Sequence, residues 1–91
     1  CPLGPVIQTN FDKNPELYIK CFVNDELKQD GNTKDMIFSI GEILEFVSSI
    51  MTLLPGDVVL TGTPEGVSKV HPGDEIKIEI ETIGTLVNQV K

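Results

Sequence analysis

The 91-residue chain is one domain at most, too short to bury a large share of its surface, and ordinary for a globular protein at 40% hydrophobic residues. Its net charge is −7, from seven lysines, no arginine and fourteen acids. That balance offers phosphates no basic stripe and a substrate carboxylate no guanidinium fork, and no run of about 18 apolar residues supplies a membrane span, so neither nucleic acid nor membrane is an expected partner.

The chain opens on Cys1-Pro2-Leu3-Gly4-Pro5, with no initiator Met, basic stretch or apolar leader, and we expect Cys1 to lie inside a longer chain. Residues 6–9 read as a short strand, and residues 10–16, polar and carrying Pro15, as a loop. Residues 17–23 alternate, with Leu17, Ile19, Cys21 and Val23 on one face. Asn24-Asp25 has the chemistry of a two-residue turn, so residues 26–29 return as the second strand of a hairpin. Asp30-Gly31-Asn32-Thr33 reads as a further turn. Ser39 and Glu42 have the spacing of a capping box, and Ile40, Ile43, Leu44 and Val47 form one apolar stripe. The spacing predicts a helix running to about Ile50 or Met51 and stopping before Pro55.

Pro55-Gly56-Asp57 suits a tight turn leading into residues 58–61, an apolar run that reads as a strand buried on both faces. Pro72-Gly73-Asp74 echoes that turn. Ile76, Ile78 and Ile80 then alternate with Lys77, Glu79 and Glu81, which predicts a strand with one wet face. Residues 83–85 turn into a last strand over residues 86–90. The expected fold class is mixed α/β, predominantly β, with one helix packed on the strands.

Most of the candidate chemistry has a plain alternative. His71 reads as a solvated turn residue, since no Ser, Cys or acid stands beside it at a catalytic spacing. Cys1 and Cys21 make no Cys-x-x-Cys or Cys/His pattern, and Cys21 falls on the apolar face of its strand, so both read as reduced thiols of a cytoplasmic protein. Glu79 and Glu81 point the same way and have the spacing to share a cation, but they also fit the solvent side of an amphipathic strand. Thr61-Gly62-Thr63-Pro64-Glu65-Gly66 ends the apolar run. Its glycines let backbone approach a ligand, and Thr63 offers a hydroxyl, yet the segment alone reads more readily as an ordinary hairpin turn.

The order of motifs carries more than any one of them. Cys1-Pro2-Leu3-Gly4-Pro5, Asn24, Gln29-Asp30-Gly31-Asn32-Thr33, Met36-Ile37-Phe38-Ser39, Leu54-Pro55-Gly56-Asp57-Val58, Thr61 to Val67, Pro72-Gly73-Asp74 and Gly84-Thr85-Leu86-Val87-Asn88 follow in turn. The chain resembles the fumarylacetoacetate hydrolase family from end to end. That resemblance implies a β-roll or sandwich with one packed helix, in which residues 1–91 form the carboxy-terminal portion of a single catalytic domain. It implies a metal-dependent enzyme acting on 2-oxo or 2,4-dioxo acids by C–C hydrolysis, decarboxylation or isomerisation, as in aromatic compound catabolism. The expected cation is Mg²⁺ (or Mn²⁺ or Ca²⁺), acting as a Lewis acid on the enolate, and the expected assembly is a homodimer. The resemblance places the catalytic lysine and the metal-binding Glu-x-Glu and Asp upstream of Cys1. No catalytic residue or metal ligand is then expected in this segment, and Glu79 and Glu81 remain surface acids. It assigns Thr63 to the substrate carboxylate and Gly62 a backbone role in the same turn, and leaves Gln29, Asn32 and Met36 between loop structure and a dimer contact. Two alternatives stay open: a catalytically incomplete piece of such an enzyme, and a small acidic β-rich binding module that folds alone with no exposed apolar surface.

Overall fold

The computed structural model describes residues 1–10 and 14–91. A four-stranded antiparallel sheet has the order β2-β1-β3-β4, built from β1 (Tyr18–Val23), β2 (Glu26–Asn32), β3 (Glu75–Ile80) and β4 (Gly84–Gln89). One helix, α1 (Ile40–Ile50), lies between β2 and β3 in the chain. The loop expected at residues 10–16 falls partly on residues 11–13, which lie outside the described residues, and residues 14–16 carry no helix or strand.

The hairpin forms as expected. Asn24 and Asp25 take φ of 51° and 65°, the paired positive values whose twist matches that of the flanking strands. The second strand runs further than its composition suggests. Asp30, Gly31 and Asn32 pair with Lys20, Ile19 and Tyr18, so a stretch with turn chemistry is held extended by its ladder. The turn comes later, as a 3₁₀ helix at Thr33–Asp35 capped by Asn32, whose Oδ1 accepts from Lys34 N at 2.9 Å. The ladder also slips once. Cys21 faces Gln29 and Phe22 faces Leu27, leaving Lys28 as the extra residue of a β-bulge.

The alternation expected of β3 is not seen in its burial. All six residues are half-buried: β1 and β4 flank the strand, and neither face of the sheet is covered, so its two faces do not differ in burial. Lys77 lies flat on that surface, its Nζ 4.7 Å from the centre of the Phe22 ring across the strand pair. The final turn falls slightly earlier than predicted, with Thr82 at φ 64°, and β4 begins at Gly84.

The two Pro-Gly-Asp turns are built alike. Gly56 and Gly73 take φ of 96° and 93°, and in each turn the Asp carboxylate accepts a backbone N–H three residues back: Leu54 N to Asp57 Oδ2 and His71 N to Asp74 Oδ2, both at 2.8 Å. The second turn is also tied to the hairpin. Asn24 Nδ2 donates to Asp74 Oδ1 at 2.8 Å, and Asn24 Oδ1 accepts from Glu75 N at 2.9 Å. The His71 N–H first, and then the Asn24 amide, hold the Asp74 carboxyl below its ordinary value of 3.8. Because the folded value is the lower one, the unfolded chain binds the proton more readily. The contribution to stability is therefore full above pH 3.8 and lost as pH falls through the lower folded value. In thermal melts of the intact protein, the advantage of wild type over Asp74→Asn should shrink steadily below about pH 4. An advantage that stays constant down to pH 2 would show that the charge of Asp74 has no part in it.

Helix α1 starts at the expected capping box. Ser39 N donates to Glu42 Oε2 at 2.7 Å and Glu42 N donates to Ser39 Oγ at 3.2 Å, and the helix ends at Met51. It is not packed on the sheet: the substantial contacts between elements are those of β1 with β2, β1 with β3 and β3 with β4. Its apolar stripe stays half-buried at Ile40, Ile43 and Val47 and exposed at Leu44.

Two expected strands do not form. Residues 6–9 and 58–61 have the composition of strands, but no described strand runs beside either, and a ladder needs a neighbour. Ile7 stands 89% exposed and Leu60 80% exposed. Among the described residues none is fully buried, so the sheet has no closed core on either face. No helix among them is long and apolar enough to cross a membrane.

Candidate functional site

Thr61-Gly62-Thr63-Pro64-Glu65-Gly66 lies across β2 at its bulge rather than at the end of a buried strand. The bulge turns the Lys28 carbonyl toward the loop, and Gly66 rests against that oxygen so closely that a Cβ there would overlap it. A Cβ built on Gly31 would lie 3.4 Å from Pro64 Cγ, which places the proline ring against the β2 backbone at van der Waals range. Between these contacts, Gln29 Nε2 donates to Thr63 Oγ1 at 2.8 Å and to the Pro64 carbonyl at 2.9 Å. The loop is thus anchored to a strand that is itself fixed by its ladder with β1.

Thr63 is exposed on this anchored loop. Gly62 beside it has φ 102°, a backbone shape that side chains resist, and a Cβ there would meet nothing within 4 Å. Its glycine answers the demand of the turn and leaves the backbone open to an incoming group. What this segment presents is a hydroxyl and open peptide groups, suited to orienting an anionic oxygen.

The other candidates are occupied within the chain. The His71 side chain is 68% exposed, with Nδ1 3.9 Å from Asp74 Oδ2 in the second Pro-Gly-Asp turn. Cys21 is half-buried on β1 between Gln29 and Ile78. Glu79 Oε1 lies 3.7 Å from Lys77 Nζ, and Glu81 Oε2 accepts from Tyr18 N at 3.3 Å. Asn32 caps the 3₁₀ turn with its side chain, and the Met36 backbone N–H closes it on Thr33 O at 3.2 Å. Among the described residues no group of three or more His, Cys, Asp or Glu is placed to hold a metal ion.

The roles of two contributors are not announced by local spacing. Thr33 Oγ1 accepts from Leu17 N at 2.8 Å and donates to Pro15 O, fixing the entry to β1. Gln29 stood in a recognisable stretch, but its partner lies 34 residues away, and no local spacing announces such a pair.

The family model described as Fumarylacetoacetate (FAA) hydrolase C-terminal matches residues 1–91. The chain is 47% identical to a 4-hydroxyphenylacetate degradation bifunctional isomerase/decarboxylase of Salmonella dublin, over 98% of this chain and 21% of that protein. It is 44% identical to an oxaloacetate tautomerase of Bacillus subtilis, over 99% of this chain and 33% of that protein. Its fold superposes with a TM-score of 0.91 on the crystal structure of a maleylpyruvate hydrolase from Sphingobium sp. SYK-6 in complex with manganese(II) and pyruvate. That match is 43% identical and covers 99% of this chain and 35% of the other. The chain thus spans about a fifth to a third of the length of these relatives.

Proposed function

Since the chain belongs to the fumarylacetoacetate hydrolase family, we propose that it is the carboxy-terminal portion of a catalytic domain that acts on 2-oxo or 2,4-dioxo acids. The reaction is C–C hydrolysis, decarboxylation or isomerisation, of the acylpyruvate hydrolase or hydroxyheptadienedioate isomerase type. The range of isomerase/decarboxylase, tautomerase and hydrolase among the relatives, and the manganese and pyruvate bound in one of them, support this reading. The whole protein is a cytoplasmic homodimer in this reading, its sheet curling into a roll once the rest of the domain is in place.

The enzyme depends on a divalent cation, magnesium or manganese. The described residues hold no set of side chains that fits such an ion. In this reading its ligands and the acid–base groups come from residues outside this segment. The contribution of residues 1–91 is to position substrate. Thr63 orients the substrate carboxylate by a hydrogen bond, and the Gly62 backbone lets that group come close. The observation that carries this assignment is the exposed Thr63 hydroxyl on a loop pinned to β2 by Gly66, Pro64 and Gln29. The alternative of a small self-sufficient binding module is disfavoured by the apolar side chains left in the open, Ile37 at 93% exposure among them.

The assay is a panel of oxaloacetate, acylpyruvates and hydroxyheptadienedioate with Mg²⁺ or Mn²⁺, run on the full-length enzyme and on Thr63→Val. Loss of a hydrogen bond to a charged group costs about 1.5–3 kcal/mol, so kcat/KM should fall roughly 10- to 100-fold. Unchanged kcat and KM on every substrate turned over would remove Thr63 from the site.

A further inference from the structure

We propose that Gln29 is a positioning residue that orients the Thr63 hydroxyl to donate toward substrate. The inference rests on the reading of Thr63 as a substrate contact and adds to it the direction of the hydrogen bond.

The argument starts from an acceptor that cannot change roles. The Pro64 carbonyl oxygen only accepts, and it lies 2.9 Å from one end of the Gln29 amide. That end must therefore be the NH₂ group, which fixes the orientation of the amide without reference to any other partner. The same nitrogen lies 2.8 Å from Thr63 Oγ1. Thr63 consequently accepts from Gln29, using a lone pair and keeping its own proton. Among the described residues no acceptor takes that proton, so the O–H is left to point away from β2, toward whatever the loop meets.

A hydroxyl rotates freely and serves as donor or acceptor as its neighbours require. A site built for a carboxylate or an enolate oxygen needs only the donor. By filling one of the two lone pairs and fixing the oxygen, Gln29 orients the hydroxyl toward donation before substrate arrives, which is preorganisation of the kind that raises the value of a polar contact.

The test is a double-mutant cycle on the full-length enzyme, with kcat/KM on a 2-oxo acid that it turns over and pyruvate inhibition as a second readout. Gln29→Met preserves bulk and removes the donor. It is expected to lower kcat/KM about 10-fold, in line with one charge-assisted hydrogen bond left unaligned, and to weaken pyruvate inhibition to match. In a Thr63→Val background, where there is no hydroxyl to align, the same change should cost less than about 3-fold. Gln29→Glu gives a second route if Gln29→Met folds poorly. An ionised carboxylate only accepts, so it captures the Thr63 proton, and the loss should exceed that of Gln29→Met at neutral pH. Thr63→Val without effect overturns both the substrate role of Thr63 and this inference. Thr63→Val impaired, with the Gln29→Met loss undiminished in that background, overturns the inference alone and leaves Gln29 a loop anchor. Gln29→Glu with wild-type kcat/KM overturns it as well.

Discussion

A chain consisting of residues 1–91 alone is expected to bind a hydrophobic dye strongly and to melt without a cooperative transition. Cooperative folding requires side chains that leave water together, and none of the described residues does so completely. The exposed surface is 7249 Å². A compact monomer of the same 10.0 kDa mass exposes about 5,200 Å². The Cα radius of gyration is 14.5 Å, where a compact chain of this length has about 12 Å. The surplus surface has a definite character. Ile37, Phe38, Phe46, Ile50, Leu60 and Val67 all stand exposed, and α1 has an amphipathic pattern without a packed partner. Such a pattern is selected only where something covers it, and helices draw most of their stability from that cover. The checks are dye fluorescence and circular dichroism melting of the isolated chain against the full-length protein. A sharp two-state melt with no dye binding would favour the independent binding module and count against the role of the segment as part of a larger domain.

The same contrast explains what could be read in advance and what could not. The hairpin at Asn24-Asp25, the Ser39–Glu42 capping box and both Pro-Gly-Asp turns were legible because each is decided within a few residues. Positive φ, an N-cap oxygen and an Asx hydrogen bond are local physics. The strands of the sheet are legible where alternation is long enough, whereas the end of β2 is hidden because Asp30-Gly31-Asn32 has turn chemistry until β1 lies beside it. Residues 6–9 and 58–61 depart for the opposite reason: their composition asks for a strand, but no described strand lies beside them to complete a ladder. The anchored loop sits between these cases. Its motif was visible and Thr63 could be singled out from it. The strand that holds it was not, because the Lys28 bulge, the backbone at Gly31 and the Gln29 amide meet the loop only through the fold.

Gly66→Ala should be the most damaging single-methyl change in the segment, and its effect should come through Thr63. Two glycines of the loop share nearly the same backbone angle, φ 102° at Gly62 and 103° at Gly66. On conformation alone they would respond alike, with a strain of about 1–3 kcal/mol for any other residue. Their surroundings separate them. A Cβ on Gly62 meets nothing within 4 Å, whereas one on Gly66 overlaps the Lys28 carbonyl and lies 3.1 Å from Gln29 Cγ. The Lys28 oxygen belongs to a bulge within a paired strand and has little room to retreat. Alanine at Gly66 must therefore lift the loop from β2, and a lift of about 1 Å is enough to part Gln29 from Thr63 and to cost on the order of 100-fold in rate. The melting temperature of the full-length protein should fall clearly further for Gly66→Ala than for Gly62→Ala. Saturating substrate should not restore kcat in Gly66→Ala, since the hydroxyl is displaced rather than merely weakened. Equal melting temperatures for the two variants would mean that the loop yields to the added methyl without leaving its strand. The bulge would then be a neighbour of the site and not its support.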